Sequence, residues 1–153
     1  MSEEKWSPPG WMYRGRKPES DDAYLENMTR LIFLAGLSWK MINEKWPSFK
    51  RAFTDFAVDK ISKMDDQDVD RLMSDASIVR NRAKIIATIK NAEQFQHVRK
   101  KCGSFRRYLE SLNKSDNYAS VIKELGRGFS RMGPSSARIF LYSVGEDIKR
   151  SME

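Results

Sequence analysis

Apolar residues along this chain recur at intervals of three and four, the spacing of one face of an α-helix. Nowhere do they alternate with polar ones as a half-buried strand requires. From Ser20 onward, Tyr24, Met28, Leu31, Ile32 and Ala35 form one stripe, with Ser20, Asp21 and Asp22 as candidate N-caps and Gly36 as its stop. Ser38 opens a short helix through Trp39, Ile42 and Trp46, which Pro47 is expected to end. Phe49, Ala52, Phe53 and Phe56 then share one face of a further helix and read as core. Val58, Ile61 and Met64 mark a short piece, and Asp65 or Asp66 caps a helix bearing Val69, Leu72, Met73 and Ala76. After a turn at Ser77 to Asn81, a longer helix presents Ile85, Ile86, Ile89, Ala92 and Phe95. Gly103 and Ser104 interrupt the chain before Phe105, Tyr108, Leu109 and Leu112. The pattern predicts an all-α domain over residues 20–153. Before it, residues 1–19 form an arm in which Trp6, Trp11, Met12 and Tyr13 mix with Arg14, Arg16 and Lys17, and its prolines argue against helix.

The last third carries the sharpest local signal. Ser115 or Asp116 starts a helix with Tyr118, Val121, Ile122 and Leu125 on one face, ended by Gly126. Gly128-Phe129-Ser130-Arg131-Met132-Gly133 follows, and Pro134 suits the first position of a helix carrying Ala137, Phe140, Leu141 and Val144. The segment from about 116 to 145 is thus a helix, a glycine-bounded hairpin and a second helix. Free N–H groups at the start of that second helix form a ready phosphate site, with Ser135 and Ser136 adding hydroxyls and Arg131 adding charge.

Charge reinforces this reading. The chain of 153 residues has a net charge of +7, yet between Ile78 and Arg107 nine bases meet one acid, Glu93. Arg80, Arg82 and Lys84 lead this run, and such clustering is the footprint of a phosphate-backbone binder. The hydrophobic fraction of 40 % supplies a core and excludes wholesale disorder. No apolar run approaches the roughly 20 residues that span a bilayer, so no membrane partner is expected. Cys102 and His97 are the only residues of their kinds, which excludes an intrachain disulfide or a Cys/His zinc site and fits a reducing, cytoplasmic setting.

Two stretches carry a family resemblance. Ala35-Gly36-Leu37-Ser38-Trp39, and the run from Asp68 to Ile85 with its D-V-x-R-L and I-x-R-x-R-x-K-I patterns, resemble the 3-methyladenine DNA glycosylase I family. That family belongs to the helix-hairpin-helix DNA glycosylase superfamily, and the order of motifs and hairpin agrees over roughly residues 20 to 145. The resemblance implies a compact helical glycosylase that flips an alkylated purine out of double-stranded DNA and hydrolyses its N-glycosidic bond in base excision repair. It further implies a monomer without cofactor. Trp39 maps onto the family's pocket tryptophan, whose indole face holds a cationic purine by stacking and cation–π attraction of about 0.5 to 2 kcal/mol. Trp11 or Tyr13 supplies the second pocket aromatic. Gly128, Gly133 and Ser135, flanked by Ser130, Arg131 and Ser136, map onto the hairpin that holds a DNA phosphate without reading sequence.

Three departures from the family pattern stand out. Leu31 occupies the position of the pocket carboxylate that bonds the base, so no catalytic residue can be named. The family's structural zinc ligands near both termini are absent, so no metal is expected. The aspartate that many superfamily relatives place after the hairpin's second helix also has no counterpart, since Asp147 comes too early and Glu153 is the last residue. No lysine aligns with a superfamily nucleophile, so the expected enzyme is a monofunctional glycosylase without lyase action. Two alternatives remain: a non-catalytic, lesion-sensing DNA binder that lacks the carboxylate, and a helical adaptor whose basic face meets an acidic protein.

Overall fold

In a computed structural model, residues 7–149 are described and contain helices without strands. Trp6 and Glu153 lie outside the described residues. Helix α1 spans Asp21–Leu34, α2 Trp39–Ala52, α3 Val58–Ile61, α4 Asp66–Met73, α5 Arg82–Cys102, α6 Phe105–Ser111, α7 Ser115–Gly128 and α8 Pro134–Ser143. The all-α expectation holds.

α1 is the axis of the fold. Ten of its residues, Tyr24, Leu25 and the unbroken run Asn27 to Leu34 among them, are buried, so neighbouring helices enclose it on nearly every side. Ser20 caps it, accepting from the Ala23 amide. Asp21 and Asp22, also candidate caps, reach outward instead. Asp22 accepts from the Val58 amide at 2.9 Å and Asp21 from the Phe105 amide at 2.9 Å, so α1 caps the first turns of α3 and α6. Arg99 of α5 clamps the same region, bonding Asp21 at 3.2 Å and Asp59 at 2.9 Å. These bonds largely use up the charges lining a polar depression of about 440 Å³ at this end of α1.

α5 packs across α1, with Phe95 stacked on Phe105 at 4.5 Å and edge-on to Phe129 at 5.6 Å. A second aromatic group joins α1 to α2: Phe33 meets Phe49 edge-on at 4.8 Å, and Trp46 stacks on Phe56 at 5.2 Å. These contacts explain why Pro47 fails to end the helix as expected. α2 continues through it to Ala52, because Ile42, Trp46 and Phe49 all bury on the face that a break would redirect. Thr54–Phe56 is a 3-10 turn at positive φ, which brings Phe56 under Trp46. The helix read over Phe49 to Phe56 is therefore two pieces.

The arm crosses the molecule to the segment after α8. Tyr13 donates its amide to the Ser143 carbonyl at 2.8 Å, and Arg14 donates to the carbonyls of Tyr142 and Glu146. Lys17 pairs with the buried Glu146 at 2.7 Å, and Glu146 also accepts from the Tyr118 hydroxyl at 3.0 Å. Burial and the Glu146 charge together push the Tyr118 phenol up to about 12.

Gly145 makes this crossing possible. Its φ is +86°, and a Cβ there would stand 2.1 Å from the Arg16 carbonyl oxygen. Gly145→Ala should cost about 2 kcal/mol or more in urea unfolding, from left-handed strain plus displacement of the arm. Gly10→Ala, whose Cβ meets nothing within 4 Å, should stay within about 0.5 kcal/mol of the parent.

Candidate functional site

Two features converge where α1 ends and α2 begins. Ser38 caps α2 by accepting from the Met41 amide, which leaves Trp39 at its first position, 42 % exposed. Asn43 and Trp46 follow one and two turns later on the same face, opposite Glu26 and Arg30 of α1. The arm lays Trp11 on this face.

The result is a column of flat groups. Trp39 and Trp11 have ring centroids 5.8 Å apart with planes tilted by 33°, and the Arg30 guanidinium lies over the rings of Trp11, at 4.4 Å, and Trp46, at 4.9 Å. Of the two arm aromatics, Trp11 meets Trp39. Tyr13 lies under Arg16 instead, at 4.4 Å.

Arg30 was not anticipated from the sequence. It is 7 % exposed, it bonds the Asn43 side chain, and its Nε has no hydrogen-bond partner. The indole Nε1 of Trp11 is likewise buried without an acceptor. Glu26, one turn earlier, accepts from the Trp46 indole at 2.9 Å. Burial pushes the guanidinium down to about 10, a shift that the Glu26 charge opposes, so Arg30 is cationic at neutral pH. Leu31, its neighbour, is 3 % exposed within the hydrophobic cluster.

The hairpin lies between α7 and α8, anchored by buried Phe129 and Met132. Asn91 of α5, also missed in the sequence, fixes it. Its side chain accepts from the Ser130 amide at 2.7 Å and donates to the Ser130 carbonyl at 3.2 Å. Arg131 takes the left-handed conformation, φ 59°, and is exposed. Gly133 caps α8 with no side-chain bond, Pro134 takes the first helical position as expected, and a Cβ on Gly133 would meet nothing within 4 Å. Ser135 is exposed and Ser136 half-buried beside this open turn, while Gly128 closes α7, two residues beyond the expected stop at Gly126.

The three leading bases of the basic run divide. Arg80 and Arg82 are exposed, with Arg82 3.5 Å from Asp70. Lys84 turns inward, contrary to its expected place on a DNA-facing surface. It is 5 % exposed and donates to the carbonyls of Phe33 at 3.2 Å and Ala35 at 2.8 Å, capping the C-terminus of α1. Burial first, and the Arg131 charge second, lower its pKa.

A family model described as methyladenine glycosylase matches residues 13–140, which takes in Trp39, the Asn81-capped α5 and the hairpin. The chain belongs to the methyladenine glycosylase family. It is 32 % identical over 149 residues to the DNA-3-methyladenine glycosylase of Haemophilus influenzae, covering 84 % of this chain and 80 % of that one. DNA-3-methyladenine glycosylase 1 of Escherichia coli is 39 % identical over 79 residues, 51 % of this chain and 42 % of the relative. Among solved structures, 3-methyladenine DNA glycosylase I from Staphylococcus aureus superposes with a TM-score of 0.75 at 28 % identity, over 86 % of this chain and 80 % of that one. A crystal structure of a 3-methyladenine DNA glycosylase I in complex with 3-methyladenine gives a TM-score of 0.75 at 28 % identity, with 86 % and 81 % covered.

The structural zinc that the family resemblance implies does not fit this chain. Its Cys102 and His97 both lie on α5, and no group of three or more His, Cys, Asp or Glu among the described residues suits a metal. Lys17, Arg14 and Gly145 instead fasten the arm. No helix among the described residues is long and apolar enough to cross a membrane.

Lys84→Met keeps the aliphatic stem and leaves two carbonyls at the end of α1 without their donor. The expected cost is about 1 to 3 kcal/mol in urea unfolding. An unchanged midpoint would show that the ammonium does not hold this helix end.

Proposed function

We propose that this protein is a monofunctional DNA glycosylase that removes alkylated purines, 3-methyladenine among them, from duplex DNA in base excision repair. The observation that carries this reading is Trp39, presented at the exposed start of α2 with Trp11 laid against it, in a chain of the methyladenine glycosylase family. An indole face that is open on one side and backed by a second ring suits a flat base rotated out of the helix.

The chemistry asks little of the pocket. A purine alkylated at N3 is cationic and departs as a neutral base, so the enzyme chiefly selects, holds and admits water to the anomeric carbon. The C1′–N bond breaks with its electron pair passing to the base, the oxygen of water bonds to C1′ in its place, and the proton that this water loses passes to solvent. Leu31 offers no carboxylate for this step, and the reaction as described needs none.

The duplex would be held by the hairpin. Gly133 with the amides of Ser135 and Ser136 offers an uncapped helix start to a phosphate, and Arg131 adds a cation beside it. Ser130 and Gly128 shape that turn, while Arg80 and Arg82 extend the positive surface along α5. On this reading the protein acts as a monomer, without metal or cofactor, in the cytoplasm. The buried, apolar Leu31 favours one competitor, a lesion sensor that binds without turnover.

Release of free 3-methyladenine from methylated duplex DNA decides between them. Turnover by the parent and a fall of about ten- to a hundred-fold in Trp39→Ala are expected, from the ~1 to 3 kcal/mol of one base–aromatic stack. Bound duplex with no release would establish the sensor. Arg131→Gln should lower the slope of log affinity against log salt by about 0.9, the value for one phosphate contact, and leave the slope unchanged if the hairpin does not meet DNA.

A further inference from the structure

Trp11 backs the ring of Trp39 at 5.8 Å, yet its own polar group does nothing to fix it there. Its indole Nε1 is buried without a hydrogen-bond partner, and the arm around it forms a turn and no helix. Two residues further on the arm is tied to the body, where the Tyr13 amide donates to the Ser143 carbonyl at 2.8 Å. The place of Trp11 therefore depends on what holds the arm beyond it.

The groups that receive the arm stand at the far ends of the two helices that flank the hairpin. Arg14 lies 3.9 Å from the Tyr142 ring and donates to the carbonyls of Tyr142 and Glu146. Lys17 donates to one oxygen of the Glu146 carboxylate at 2.7 Å and to the Gly145 carbonyl at 3.2 Å. The other carboxylate oxygen accepts from the Tyr118 hydroxyl at 3.0 Å, and that hydroxyl accepts from the Asp147 amide at 3.0 Å. Tyr118 belongs to the first turn of α7 and Glu146 follows the last turn of α8, each a helix length from the turn proposed to hold a phosphate.

This junction is built against local backbone preference. Asp116, Asn117 and Tyr118 take φ of 55°, 51° and 69°, and none is glycine. Such residues hold the left-handed conformation only where surrounding contacts over-determine it. The contacts are those of Tyr118 with Glu146 and Asp147, joined by two hydrogen bonds, 2.9 and 2.8 Å, between the Asn117 side chain and the Lys149 backbone. Glu146 is 4 % exposed, and a carboxylate so buried needs both the ammonium and the hydroxyl that meet it.

Resting on the base-binding reading above, we propose that Lys17, Glu146 and Tyr118 form a positioning network for base release: they hold the arm so that Trp11 backs Trp39 and sets the ring on which a base stacks. They act through Trp11 and touch no base. Asn27 of α1 ties this anchor to the helix that leads to Trp39, since it donates to the same Ser143 carbonyl at 3.1 Å. The pair α7 and α8 thus carries the proposed phosphate-binding turn at one end and the anchor of Trp11 at the other.

The test uses the full chain. Lys17→Met removes the ammonium, Glu146→Gln keeps the shape of the carboxylate without its charge, and Lys17→Arg keeps the cation. Amide hydrogen exchange without DNA reads the arm. The Tyr13 amide should exchange about ten-fold faster or more in Lys17→Met and Glu146→Gln, from the loss of one charge-assisted hydrogen bond, with amides inside α5 unchanged. Release of 3-methyladenine from methylated duplex DNA reads the positioning. Its kcat/KM should fall about three- to ten-fold in Lys17→Met, as in Trp11→Ala, the worth of one aromatic pair, and Lys17→Arg should restore most of it. Lys17→Met combined with Trp11→Ala should be no worse than Trp11→Ala alone, because the network works only through that ring. A Lys17→Met chain that does not fold leaves the same measurements to Glu146→Gln. Losses that multiply in the double variant show a general structural role and overturn the inference. Unchanged Tyr13 exchange, or undiminished release, in both single variants overturns it and leaves the glycosylase reading intact. A parent that releases no base overturns the glycosylase reading, and this one with it.

Discussion

The hydrogen bonds that Lys84 donates to the end of α1 decide where the site is. An α-helix leaves its last carbonyls without partners, and the last turn of α1, Leu31 to Leu34, is buried up to the exposed Ala35. Lys84 satisfies the carbonyls of Phe33 and Ala35 from α5, so α1 stops there and the chain turns into Gly36, Ser38 and α2. That turn sets the phase of α2 relative to α1. Trp39 and Trp46 consequently face the same side as Arg30, and the aromatic column can form. The same α5 helix pins the hairpin through Asn91, so the base-binding face and the phosphate-binding turn share one rigid support.

Most of the fold was legible because apolar spacing reports burial directly. The stripes of Tyr24 to Ala35, Ile85 to Phe95 and Phe105 to Leu112 fall on α1, α5 and α6, with Ala35 and Leu112 as the caps just past the helix ends and most of the other residues in the core. Boundaries were less legible where tertiary contacts outweighed local preference. Pro47 carries the local mark of a helix end, yet the burial of Trp46 and Phe49 on either side holds α2 together. Asp21 and Asp22 look like caps of their own helix, and no pattern along the chain indicates that they serve α3 and α6.

The site divided in the same way. Trp39 was legible through Ala35-Gly36-Leu37-Ser38-Trp39, and the hairpin through its glycines and Pro134. Trp11 and Tyr13 were indistinguishable because the arm has no periodicity to orient either ring. Arg30 was invisible for a physical reason: a charged residue between apolar stripe positions is ordinarily solvated, and its burial rests on two indoles, the Asn43 side chain and the Glu26 charge, which the stripe does not reveal. Lys84 misled for the converse reason, since its stem lies within a basic run while its ammonium serves a helix end.

The fastening of the arm beyond α8 has a consequence for the order of events in the cell. Trp11 is made among the first residues, yet the groups that hold the arm, from Tyr142 to Glu146, are made among the last of the described chain. On the ribosome, the helices that carry Arg30 and Trp39 can pack long before those groups emerge. The hydrogen bonds that fasten the arm therefore cannot form until synthesis has passed Glu146. A nascent chain released early would carry a nearly complete core and an unfinished binding face.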